Sequence, residues 1–326
     1  MPTKIELLKV RDFGEIITDS FNFVRQNFKP LIKCFFVFSG FFLLAGALLM
    51  GLNQAKIFTS IDSTDFGETS SVFTRTFGYM GMEYWIALSL TLVGYILLQV
   101  SMLSYIALYK EKGNIAPTVE EVWGYVKYFF LRIFGGSLII GFLVMVGILI
   151  VFGGLYAATS SNIFAAILLS ILLLIVPLVY IYPIFSLIFP IIVFENGSFG
   201  YSFGRAFTII KRNWWVTFGA LFIMGLIIWV ASFIILIPIG IISAINLIMH
   251  MGKGTSFSMV ITVITAILQA LSHILYIVPI ITISLCYFNL TEQLEGEGLL
   301  GRIGRLGTVT PVETEDEAHN EEEEEL

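Results

Sequence analysis

The chain has 326 residues, of which 57% are hydrophobic and only 13% charged, and its mean hydropathy is +0.90. Several apolar runs exceed the roughly 20 residues that cross a bilayer as a helix, which excludes a soluble globule. They do not alternate apolar with polar residues, which excludes a barrel of strands. Net charge is −6, but nine of the 24 acids fall in the last 14 residues and the rest of the chain stands at +3. The body is mildly basic and carries an acidic tail, expected to be disordered over 301–326.

In chain order, Lys4, Glu6, Lys9, Arg11, Asp12 and Glu15 interrupt any signal-peptide core, so the first span is expected to act as its own insertion signal. An amphipathic helix is predicted to start at Asp12 as N-cap. Spans follow from Leu31 to about Leu52 and, after a Ser/Thr/Asp-rich loop over Asn53–Glu83, from Tyr84 to about Tyr109. A second amphipathic segment covers Asn114–Arg132, with Pro117 suited to its first turn. Spans three and four run from Ile133 to about Tyr156 and from Ile163 to about Phe194. The fourth holds Pro177, Pro183 and Pro190 and is expected to bend or break. The third amphipathic segment lies in NGSFGYSFGRAFTIIKRNWW (196–215). Spans five (Val216–Met249) and six (Phe257–Leu290) complete a domain over about 1–300.

The amphipathic segments echo one another. Phe199, Phe203, Phe207, Ile210 and Trp214 fall on one helical face, opposite Arg205, Thr208 and Arg212, the composition of a helix lying in a membrane interface. Offsets of 186 and 84 give Phe13, Ile17, Phe21, Val24, Phe28 and Ile115, Val119, Trp123, Val126, Phe130. In the same register stand the caps Asp12, Asn114 and Ser198, the cations Arg25, Lys127 and Lys211, and the acids Glu111 and Glu195. The fold predicted is therefore all-α: six transmembrane helices in three repeats (about 12–113, 114–197 and 198–296), each an interfacial helix plus a spanning hairpin.

Lys and Arg set the orientation. The terminal segments and the connections bearing the amphipathic helices hold fifteen, and the opposite connections three. By the positive-inside rule both termini are expected on the cytoplasmic side.

FGEIITDSFNFVRQNFKPL (13–31), its echo FGRAFTIIKRNWW (203–215) and the ending YFNLTEQLEGEGLL (287–300) resemble a group of bacterial six-span membrane proteins. That group includes the membrane domain attached to some glycerophosphoryl diester phosphodiesterases. The resemblance implies a membrane module. It does not imply the phosphodiesterase, because about 36 residues follow span six against the roughly 250 of a barrel hydrolase domain.

No phosphate-binding glycine loop, GxSxG or HExxH occurs, so no catalytic, cofactor or metal residue is assigned and the chain reads as non-enzymatic. Its expected partners are membrane lipids and a membrane protein or second copy, without nucleic acid. Arg25, Lys127, Arg205, Lys211, Arg212, Trp123 and Trp214 are candidate contacts for anionic headgroups, against the alternative of generic anchoring. Gln269 and His273 share a face of span six, and could bind a substrate or simply bond between helices. Glu111 and Glu195 are corner acids that could gate a pathway or hold structural pairs. Cys34 and Cys286 read as buried thiols, and the glycines of spans one and three as sites of close helix packing. The roles open to the chain are a module that organises or handles membrane components, or a transporter of a small solute or lipid.

The cation asymmetry predicts that an impermeant thiol reagent applied to intact cells labels Ser63→Cys but not a cysteine in the tail. The reverse pattern overturns the orientation.

Overall fold

The computed structural model describes residues 5–60, 81–159, 162–211, 213–249 and 259–296, and every regular element among them is helical. Helix α1 is Phe13–Gln26. Helix α2 (Phe28–Cys34) passes through a π-helical turn, Phe35–Gly40, into α3 (Phe41–Ser60). Helices α4 (Met82–Glu111), α5 (Val119–Ala158), α6 (Ile163–Phe194), α7 (Phe199–Ile210) and α8 (Trp214–Met249) follow. Helix α9 (Met259–Ser272) leads through a 3-10 turn, His273–Tyr276, to α10 (Ile277–Glu295). Six segments are long and apolar enough to cross a membrane: Phe28–Asn53, Met82–Glu111, Val119–Ala158, Phe164–Phe194, Trp214–Pro238 and Val260–Glu295. The all-α, multi-pass class is thus as the sequence predicts. The predicted loop 53–83 is helical at both ends, since α3 runs to Ser60 and α4 starts at Met82; residues 61–80 lie outside the described residues. The acidic tail lies outside the described residues.

Burial is concentrated at one end of the bundle. Val100–Tyr109 of α4 and Ile281–Glu292 of α10 are buried on every side. A helix without an exposed stripe has to be surrounded, and here α3, α5 and α10 enclose α4, while α1, α6 and α8 add to the shell of α10. The α5–α6 hairpin is the opposite case: within their most apolar windows 0% and 11% of residues are buried. Both cysteines are free and buried at the packed end.

Helix α1 begins with a capping box: Asp12 Oδ1 accepts the Glu15 N–H at 2.7 Å, and Glu15 returns to the Asp12 N–H. Lys9 bonded to Glu15, with help from the Asp12 N–H, holds that carboxyl below its usual range. Its contribution is therefore present at neutral pH and fades as acid protonates Glu15. The aromatic face of α1 is not the one that packs on the protein. Ile16, Ser20 and Phe23 pack inward, where Thr282 of α10 donates to Ser20 Oγ at 3.0 Å, while Phe13, Phe21 and Phe28 stay exposed. Aromatic periodicity marked the outer face of this helix, and the inner one is set by α10.

The polar lead-in is anchored by a residue the sequence offered no reason to single out. The Arg11 side chain is fully buried. It donates to Asp19 at 2.8 Å and to the carbonyls of Leu7 and Lys9, with a further bond to the Glu6 carbonyl, while the Arg11 N–H bonds Asn289 Oδ1 at 2.9 Å. This folds Ile5–Asp12 against the end of α10.

The second unit is out of the predicted register. Asn114 is not a cap: Gly113 (φ 65) and Asn114 (φ 68) close α4, with the Asn114 N–H on the Tyr109 carbonyl and the Gly113 N–H on that of Lys110. The cap is Thr118, in a capping box with Glu121, so Pro117 precedes the helix and does not sit in its first turn. Caps at 12, 118 and 198 move the second unit one helical turn later. The buried faces follow: Ile16/Ser20/Phe23 match Val122/Val126/Phe129 and Ser202/Ala206/Ile209. Lys127 consequently does not occupy the place of Arg25 and Lys211.

The corners follow as well. The Asn27 carbonyl accepts the Leu31 N–H at 3.0 Å where α1 gives way to α2, and the Asn213 carbonyl accepts the Thr217 N–H at 3.1 Å where α7 gives way to α8. Side chains tie both corners to the core, through Tyr105 on Asn27 Oδ1 at 2.9 Å and through Asn213 on Gln293. The matching position in the second unit is the buried Ile133. With no asparagine to interrupt it, α5 runs unbroken for 40 residues. The short helices α1 and α7 and one continuous rod stand where three short helices were expected. Helix α6 is also unbroken despite its three prolines.

The predicted glycine packing holds in span one, where a methyl on Gly46 would stand 3.1 Å from the Thr91 backbone nitrogen of α4 and one on Gly51 3.1 Å from Thr262 of α9. In span three only Gly136 packs closely, 3.1 Å from Phe199, whereas Gly135, Gly141, Gly147, Gly153 and Gly154 face open space.

Arg11→Gln leaves Asp19 and the carbonyls of Glu6, Leu7 and Lys9 short of a donor, and is expected to destabilise the protein by about 3 kcal/mol. Thermal unfolding in detergent measures this. An unchanged midpoint would show that the lead-in is not docked.

Candidate functional site

The predicted headgroup residues do not form one site. Arg205 bonds Glu195 Oε1 at 3.2 Å and also Glu295, so its charge is used between helices. The Trp214 indole N–H donates to the Tyr180 carbonyl at 3.1 Å, and its ring stacks on Tyr180 and Phe218. Arg25 and Lys211 are exposed and stand apart from any partner among the described residues; Arg212 lies outside those residues. Only Lys127 and Trp123 come together, with Nζ 4.8 Å from the ring centroid.

The corner acids act structurally. Glu195 ends α6 and receives the hydroxyls of Tyr201 at 2.7 Å and Tyr287 at 2.9 Å besides Arg205, joining α6, α7 and α10. Donation to that carboxylate raises the Tyr201 pKa. Glu111 has a lighter role, accepting the Tyr125 hydroxyl at 2.6 Å. Beside them Arg132 bonds Asn196 Oδ1 at 2.6 Å and lies over the Tyr128 ring. Asn196 takes φ 51 as α6 ends, and nothing in the spacing pointed to this cluster.

Gln269 and His273 are not joined. The helical turn tightens to 3-10 at His273, and the imidazole Nδ1 pairs with the Tyr95 hydroxyl of α4 at 2.9 Å. That is the bond between helices which the sequence allowed as one of two readings.

Two grooves open on the bundle. One, of about 410 Å3, lies among α4, α5, α6, α8 and α10; of its thirteen lining residues only Gln99, Tyr182 and Ser186 carry a polar side-chain atom. The Ser186 hydroxyl is spent on the Tyr182 carbonyl, while the Gln99 amide has no partner among the described residues. The other, of about 460 Å3, runs between the π turn, α4 and the first part of α5, and has Lys127 and Trp123 on its rim. Neither is a polar channel. No cluster of His, Cys, Asp and Glu suited to a metal occurs among the described residues.

Compared with known proteins, the chain matches no protein-family model, no curated protein and no solved structure.

Because Glu195 anchors three groups and Glu111 one, Glu195→Gln is expected to lower the detergent unfolding midpoint by several degrees more than Glu111→Gln. Equal effects would contradict the structural role given to Glu195.

Proposed function

We propose that the chain is a non-enzymatic integral membrane module of the bacterial cytoplasmic membrane, both termini inside, that accommodates an amphiphilic membrane component. The observation carrying this reading is the 410 Å3 groove: a hydrocarbon-lined recess with one unpartnered amide, Gln99, suits a lipid chain bearing a carbonyl or hydroxyl. A polar solute would find almost nothing there to replace its water. The threefold repeat belongs to the same proposal, supported by caps and buried faces that agree at Asp12, Thr118 and Ser198.

A second reading, movement of a lipid through the bundle, is favoured by one feature. Pro279 lines this groove three residues beyond the 3-10 turn, so span six is irregular beside it.

Purification in native lipid followed by mass spectrometry tests the first reading. Leu221→Trp fills the groove and is expected to reduce a co-purifying amphiphile several-fold while the fold is kept. Unchanged retention would overturn the reading. Lipid exchange between vesicles carrying the purified protein would favour the second reading over the first.

A further inference from the structure

We propose that Lys127, Trp123 and the π turn form a site for one anionic phospholipid, with its phosphate on the Lys127 ammonium and one acyl chain along the groove beneath. This site is separate from the central groove and does not rest on it.

Three observations carry the proposal. First, Lys127 is a placed and unspent charge. It has no carboxylate partner among the described residues, and the Trp123 ring holds Nζ at 4.8 Å from one side, leaving N–H donors free. Trp123 is itself held, stacked on buried Phe38 at 5.7 Å with the rings 11° apart. The cation is therefore tied to the π turn through two aromatic contacts and does not sweep the surface as a lone lysine would.

Second, the groove joins that cation to hydrocarbon. Its walls are Phe38 and Phe42 on one side, Leu97 of α4, and Phe130 of α5, and Lys127 is the one charged residue among its lining. The π turn and the start of α3 build this wall: Val37 and Phe38 lie in the turn, Phe42 two residues beyond it, and all three line the groove.

Third, the level is right. From Ile133 to Ala158 helix α5 carries no charged residue, and those 26 residues span about 39 Å, enough for the hydrocarbon layer. Lys127 stands six residues, about 9 Å, before that stretch, at headgroup depth. A soluble anion would use the lysine alone and leave the apolar recess empty. A phospholipid uses both.

The test is native mass spectrometry of the protein released from nanodiscs containing equal phosphatidylglycerol and phosphatidylcholine. The wild type is expected to retain phosphatidylglycerol, Lys127→Gln to retain about fivefold less, and Lys127→Arg to behave as wild type. Phe42→Trp, which narrows the recess, is expected to lower retention with Lys127 intact. Lys29→Gln, an exposed cation away from the groove, should change nothing. Unfolding midpoints confirm that each variant is folded. Unaltered retention in Lys127→Gln overturns the proposal, and so does an equal loss in Lys29→Gln, which would mark bulk surface charge. Displacement of the lipid by glycerol phosphate, or indifference to Phe42→Trp, would show a headgroup contact only and overturn the acyl-chain site.

Discussion

The end of α10 has no outer side. From Ile281 to Glu292 every residue is buried, and the same is true of α4 from Val100 to Tyr109, so polar atoms of both helices, Ser104 Oγ excepted, turn to partners inside the protein. Asn289 takes the Arg11 N–H and the Gln293 amide, Tyr287 reaches Glu195, Thr282 reaches Ser20, and Tyr105 reaches Asn27. Apart from the Gln293 amide, which belongs to α10 itself, each of these bonds ends on a different element: the lead-in, the close of α6, α1, and the first corner. Enclosing two helices at one end thus decides where the short segments go.

That arrangement explains the division of the cations. Arg11 and Arg205 lie against the enclosed helices and are drawn into pairs. Lys127 sits on α5, whose contacts are mainly with α4 and α6 and whose remaining side is largely open, and it keeps its charge available. Sequence position gave these residues equal standing, and packing separated them.

Much of the fold was legible because span length and hydrophobicity are local properties. Caps at Asp12 and Ser198 were legible for the same reason, since each is a short side chain before a periodic run. Thr118 was hidden behind Asn114, a residue that suits an N-cap but also tolerates the left-handed conformation that closes a helix; a flanking glycine decided for the latter. Glu121, three residues after Thr118, was the available clue. The Tyr95–His273 bond and the Arg11 anchor join positions far apart in the chain, which no single-sequence periodicity encodes. Which face of α1 packs inward was not legible for a related reason: phenylalanines suit hydrocarbon and protein interior equally, and hydrophobicity alone does not choose between them.

Losing the corner at Ile133 has a mechanical side. Helices α1 and α7 each meet the following span at an asparagine corner. Helix α5 is one rod instead, packed near Ile133 and Gly136 and almost unsupported beyond. From Gly136 to Ala158 is about 33 Å, so a tilt of about 10° around that fulcrum carries the far tip through about 6 Å. Whatever presses on the short arm, where Trp123 and Lys127 sit, is geared up across the bilayer by the leverage of an unhinged helix.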